Sequence, residues 1–192
     1  YFEKINFSNI KVICLEKKST ENFDKHIAIG SLGQYLRKNK EAFKTTPINY
    51  LVASTKKIKE LKRKFFLDKK IKIGISWKTL NKKQQFRNID IEQMLPILNK
   101  PDCDFINLQF GETKDDLERL KSKHGIDIRN ISEIDNFKDI EGLAALINCL
   151  DLVITIQNSN AHIAAALGQD TWIMVATTAT LIPVGILGEK NS

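Results

Sequence analysis

The chain has 192 residues, enough for one full α/β domain and part of another. Its composition, 42 % hydrophobic and 28 % charged, is that of an ordinary globular protein and excludes a disordered or fibrous one. The net charge of +7 hides an asymmetry: residues 1–100 carry 23 Lys/Arg against 9 Asp/Glu, whereas residues 101–192 carry 7 against 14. The excess concentrates between Lys56 and Arg87, which reads either as an electropositive surface or as a solvated linker and helix. The lysines before Ile71 suit the second reading. Without aromatic interleaving or a nucleic-acid module, no nucleic-acid partner is expected. Cys14, Cys103 and Cys149 lie far apart with no metal or redox spacing, which implies buried thiols in a reducing, cytoplasmic setting. No signal peptide is expected from the charged first residues. The charge-free stretch from Thr171 to Gly188, with its threonines, Pro183 and Gly185, reads as a strand entering a loop, not as a transmembrane segment.

In chain order, KVICLE, HIAIGS and INYLVAS are strand candidates within residues 1–54, too few for a closed domain. They are expected to be the incomplete end of a preceding domain. Residues 55–70 then form a lysine-rich linker or helix, and residues 71–192 a second domain. From Ile71 the pattern is regular. IKIGISW is a buried strand, KTLNKKQQFRN a polar loop, and IDIEQMLPIL a helix with Ile91, Met94, Leu95 and Leu98 on one face. DFINLQF is a second strand. Thr113 and Asp116 then give a capping-box signature ahead of the helix DDLERLKSKH. IDIR is a short strand and DIEGLAALINCL an amphipathic helix. DLVITI is a third long strand, SNAHIAAAL a short helix closed by Gly168, and TWIMVA a further strand. Alternating strands and helices imply an α/β, doubly wound, Rossmann-like parallel sheet covered on both faces.

Ligands of such sheets bind beyond the carboxyl ends of the strands. Three loops lie there. The first brings Ser76, Lys78, Lys82, Lys83 and Arg87; the second Gln109, Gly111 and Glu112; the third Gln157, Asn158, Ser159, Asn160 and His162. In the third loop, Asn158 or Ser159 is a good N-cap followed by small residues, which suits an anion at a helix N-terminus. It suits equally a well-capped helix in a tight turn. His162 lies in the first turn as an anion contact or a packing residue, and Lys78 and Arg87 are phosphate ligands or solvated charge. Gln109 and Glu112 are candidates for ribose or base hydroxyls. No nicotinamide-type glycine fingerprint, Walker loop or nucleophile elbow is present, and His26, His124 and His162 do not cluster with cysteines or carboxylates, so no metal is expected.

The blocks KIGISWKTLNK…RNIDIEQMLPIL, FINLQFGE and DIEGLAALINCLDLVITIQNSNAHIAAALG together resemble the C-terminal domain of heptosyltransferase-like glycosyltransferases (glycosyltransferase family nine). They come nearest the branch in which that domain follows tetratricopeptide repeats. The resemblance covers about Ile71 to Val175, and HIAIGSLGQYL…INYLVAS resembles the end of the family's preceding domain. It implies a GT-B architecture and metal-independent transfer of a sugar from a nucleotide diphosphate sugar to a glycan, lipid or protein hydroxyl, without a cofactor. It puts donor-phosphate contacts at Ser76, Lys78 and Arg87, nucleoside contacts near Gln109 and Glu112, and further donor contacts on the third loop. There Gln157 and Asn158 stand where the family has Asp-Thr, while Ser159 and His162 match. The family's general base lies nearer the start of its N-terminal domain than this chain reaches, so no catalytic base is named, and the chain is expected to be incomplete for catalysis. The C-terminal tract TLIPVGILGEKN lacks the aromatic residues of the family and implies an altered end. The substituted pair Gln157-Asn158 also suits a non-catalytic nucleotide-binding or protein-interaction module with a degenerate cleft. A nucleotide-sugar epimerase would need a carboxylate-rich cleft, which the third loop does not supply.

Overall fold

The computed structural model describes residues 24–44 and 49–176 and divides the chain into two compact units, Tyr1–Pro47 and Ile48–Ser192. In the first unit a 3₁₀ turn at Ile29–Ser31 leads to two single-turn helices, α1 (Gly33–Leu36) and α2 (Glu41–Lys44). HIAIGS is therefore not a strand. A strand must pair its backbone N–H and C=O groups with a neighbour, and none of the described residues of this unit forms one. KVICLE lies outside the described residues. The division between the units comes after Pro47, and the segment after it belongs to the second unit.

INYLVAS keeps a strand's alternation without being one: Leu51 and Ala53 are buried while Tyr50 and Val52 are exposed. The Leu51 amide donates to the Ala166 carbonyl at 2.9 Å, satisfying one of the carbonyls that a helix end leaves without an internal partner. Ser54 then caps α3 (Thr55–Phe65), accepting from the Lys57 amide at 3.4 Å. The lysine-rich stretch is thus mainly helix. Leu61 is its buried anchor, and α3 packs on α6 (Ile140–Ile147).

The second unit is built on five parallel strands: β1 (Ile71–Ser76), β2 (Cys103–Asn107), β3 (Ile128–Arg129), β4 (Leu152–Ile156) and β5 (Thr171–Met174). Their order is β3-β2-β1-β4-β5, a Rossmann-like arrangement that reverses direction between β1 and β4. In the register Ile73 pairs with Phe105 and Leu152, and Ser76 with Thr155. Alternation sends Ile73, Ile75, Trp77, Phe105 and Ile154 to one face. There they meet Ile91, Met94 and Leu98 from the segment after the first loop, and Leu120 from α5 (Lys114–His124). That segment is a 3₁₀ turn, Ile91–Met94, followed by α4 (Leu95–Leu98), with Pro96 in its first turn. The other face carries Gly74, Ser76, Val153 and Thr155; α7 (Ser159–Ala166) packs on β4 and β5, and α6 packs on α7. Gly74 is required by close approach, since a Cβ there would lie 2.5 Å from Leu108 Cδ1 and 2.6 Å from Leu150 Cδ1.

Helix ends explain where the connections turn. Asp139 caps α6 by accepting from the Gly142 amide at 2.8 Å, and Asn158 caps α7 by accepting from the Asn160 amide at 3.0 Å. Gly125 and Gly168 take positive φ (66° and 72°) just beyond α5 and α7, where a side chain would be strained. The capping box expected of Thr113 and Asp116 does not form. Thr113 makes no side-chain cap; its hydroxyl accepts from Asn107 Nδ2 at 3.2 Å, and Asp116 turns to Trp77 and Lys78. A buried indole N–H and a neighbouring ammonium offer that carboxylate more than an exposed helix amide does. Cys149 is buried, and loss of solvent pushes its thiol up to about 11 despite the opposing pull of Lys62, while Cys103 is half-buried. No helix among the described residues is long and apolar enough to cross a membrane.

Candidate functional site

The crevice between the carboxyl ends of β1 and β4 is where the sheet order reverses, and the third loop delivers α7 to it. Side chains from distant parts of the chain close its floor. Ser76 Oγ and Thr155 Oγ1 lie 2.5 Å apart, Asn158 Nδ2 donates to Ser76 Oγ at 3.1 Å, and Thr155 Oγ1 donates to Asn158 Oδ1 at 3.0 Å. Thr155 was not singled out from the sequence. Its signal is the strand alternation that puts it in register with Ser76.

Helix α7 begins directly above this cluster. The first amides of a helix have no internal acceptor, and the dipole makes its start favourable for an anion. Asn158 Oδ1 accepts from the Asn160 amide, and the exposed Ser159 opens the first turn of the helix, whereas Ala161 is fully buried. The Asn160 side chain is buried and donates to the Leu108 carbonyl at 2.9 Å, so it fastens α7 to the end of β2 and does not face solvent. Ser159 and His162 are exposed on the first turn.

Arg87 reaches the same place from the first loop. Trp77 O accepting from Ile89 N at 3.0 Å and Asn88 Oδ1 accepting from Thr79 N at 2.7 Å close that loop at its base. Within it a 3₁₀ turn, Lys82–Arg87, capped by Asn81, carries Arg87 back toward the sheet. Arg87 is 7 % exposed; its Nη1 donates to Gln157 O at 3.3 Å and to Gln84 Oε1 at 3.2 Å. Its Nε and the buried Oε1 of Gln157 have no partner among the described residues. A buried donor and a buried acceptor without partners, beside an open helix start, are the features of a polar ligand site.

The remaining candidates have other work. Lys78 is 2.5 Å from Asp116 Oδ2, which also accepts from Trp77 Nε1 at 2.9 Å. Burial opposes the charge on Asp116, but the Lys78 and Trp77 hydrogen bonds outweigh it and hold the carboxyl below its ordinary value. Lys78 is thus committed to α5. Gln109 is buried and structural: its Oε1 accepts from the amides of Trp77 (3.0 Å) and Lys78 (2.8 Å), and its Nε2 donates to Phe110 O at 2.8 Å. Glu112 is exposed and accepts from the Lys114 amide at 3.2 Å. Lys82 and Lys83 are exposed on the loop. Leu80 packs on Gly111, with Cδ1 3.2 Å from where a side chain would begin, so the first two loops touch.

Another groove lies elsewhere, between α3 and the start of α6, lined by Lys57, Leu61, Lys64, Glu133, Asp139 and Gly142. Its charges neutralise one another through the pairs Lys57–Asp139 and Lys64–Glu133. Arg119 Nε and Arg129 Nε are likewise buried without a hydrogen-bond partner, but those guanidiniums are ion-paired, Arg119 with Asp90, Glu92 and Asp116 and Arg129 with Asp104. Arg87 has no ion pair among the described residues, which makes the sheet crevice the stronger candidate.

The chain is 29 % identical over 112 residues to protein FlbA of Caulobacter vibrioides (strain ATCC 19089 / CIP 103742 / CB 15), a stretch covering 56 % of this chain and 18 % of FlbA. No family model matches the chain, and no solved structure matches it.

Proposed function

We propose that the second unit binds the diphosphate of a nucleotide sugar at the amino end of α7 and serves as the donor domain of a metal-independent, heptosyltransferase-like glycosyltransferase of GT-B architecture. The observation that carries the reading is the buried Arg87 guanidinium beside Gln157, facing the open turn of α7 at the point where the strand order reverses. A diphosphate leaving group accumulates negative charge as the sugar bond breaks. Fixed donors aimed at that charge stabilise the transition state without reorganising, which is how a helix start and a guanidinium can act without a metal. Among the basic residues of the first loop, Arg87 takes this role, because Lys78 is paired with Asp116.

The test is a thermal-shift panel of ADP, GDP and UDP with magnesium and with chelator. A ligand at a hundredfold excess over Kd that binds only the folded state stabilises it by about 2.7 kcal/mol. Equal shifts with and without magnesium are expected, and a strict magnesium requirement would remove this mechanism. A specific observation also favours the second reading, a binding module without turnover: the hydroxyl of Ser76 and the amide of Asn158 are already bonded within the protein. Nucleoside diphosphate binding without release of sugar from any nucleotide sugar would select it.

A further inference from the structure

We infer that Phe110 and Phe137 form a stacking platform for the base of the nucleoside diphosphate, an inference that rests on the anion site proposed above. The two rings are stacked, with centroids 5.4 Å apart and planes at 25°. Phe110 follows the carboxyl end of β2 and is half-buried; Phe137 lies before α6 and is 65 % exposed. A single exposed phenylalanine is ordinary. This one is held out by a built turn. Asp135 Oδ1 accepts from the amides of Phe137 (2.9 Å) and Lys138 (3.0 Å), and these bonds hold its carboxyl below its ordinary value. Asn136 Nδ2 donates to Asn107 O at 3.1 Å and Gln109 O at 3.3 Å, pinning the turn to the end of β2. The backbone of Phe137 is therefore fixed on both sides, and Phe110 covers one face of its ring.

The platform is joined to the anion site through few bonds. Asn160, in the first turn of α7, donates to Leu108 O, and Phe110 is two residues further on. Two residues of chain span at most about 7 Å. That is the scale of the ribose that separates a diphosphate from its base, whereas inorganic pyrophosphate alone does not reach so far. Stacking needs only a π face, which every base has, so the platform recognises a nucleoside with little preference among bases.

The experiment is calorimetric titration of the full chain with pyrophosphate, ADP, GDP and UDP, using Phe137→Leu, Phe137→Ala, Phe137→Trp and Arg87→Ala. Loss of the ring in the leucine and alanine variants should weaken each nucleoside diphosphate about fivefold or more, with pyrophosphate unchanged and tryptophan restoring binding. Arg87→Ala should weaken pyrophosphate and nucleoside diphosphates alike. Wild-type affinity for nucleoside diphosphates in Phe137→Leu overturns the platform while leaving the anion site standing. So does an equal loss for pyrophosphate in Phe137→Ala, or a wild-type protein that binds pyrophosphate as tightly as ADP. A wild-type protein that binds neither overturns both readings.

Discussion

Replacing Arg87 with alanine separates the ligand role of this residue from its structural one. The substitution deletes two long hydrogen bonds, to Gln157 O at 3.3 Å and Gln84 Oε1 at 3.2 Å, and the contact of the guanidinium with Phe86, 5.4 Å from the ring centroid. Each such bond contributes about 0.5–1.5 kcal/mol net, and the variant no longer has to bury a cation, so the expected loss of stability is about 1 kcal/mol. For a chain of this size that lowers Tm by about 2–4 °C. A hydrogen bond to a charged ligand group contributes more, about 1.5–3 kcal/mol, which weakens binding about 10- to 150-fold. Arg87→Lys keeps the charge and loses the planar fork, so its Kd should fall between those of the wild type and Arg87→Ala. Titration with pyrophosphate at 25 °C, with circular dichroism to confirm folding, reads both quantities. A folded Arg87→Ala protein with wild-type affinity for pyrophosphate would refute the assignment, because the buried guanidinium would then have only its two internal hydrogen bonds and the Phe86 contact to explain it.

Asp116→Ala should cost about 2–3 kcal/mol at neutral pH, measured by urea unfolding, because it leaves the fully buried Trp77 indole N–H and the Lys78 ammonium without their shared acceptor. The folded carboxyl is held below its ordinary value of 3.8, so its contribution is complete above that pH and is lost as pH falls through the lowered value; wild type and variant should converge in stability at strongly acidic pH. Gly74→Ala should destabilise by about 1–3 kcal/mol, the cost of overpacking a filled core, although alanine normally favours a strand interior. A neutral or stabilising result in thermal unfolding would mean that Leu108 and Leu150 yield freely, contrary to their burial.

The second unit was legible in the sequence because its determinants are local. IKIGISW, DFINLQF, DLVITI and TWIMVA are apolar runs of strand length, and between them lie segments with helical spacing or caps, so their parallel pairing followed, while the order across the sheet is decided by the assembled fold. A cap at Asn158 or Ser159, which the structure assigns to Asn158, and Gly168 as a stop were equally readable, since both act within a few residues of their own position. Residues 49–54 were misread because their alternation is real, but strand formation also needs a free sheet edge, and this segment meets the end of α7 instead. The candidate site was legible as three loops and no further. Which polar side chains remain available was decided by partners far away in sequence: Ser76 with Asn158, 82 positions apart, and Trp77 with Asp116, 39 apart. Spacing alone made Lys78 and Arg87 equivalent and made Gln109 a ligand candidate. Tertiary structure tied Lys78 to Asp116, used Gln109 to hold the backbone of Trp77 and Lys78, and left Arg87 buried with an unpartnered nitrogen beside α7. A buried polar group must find a partner, and only the assembled fold decides which partners are within reach.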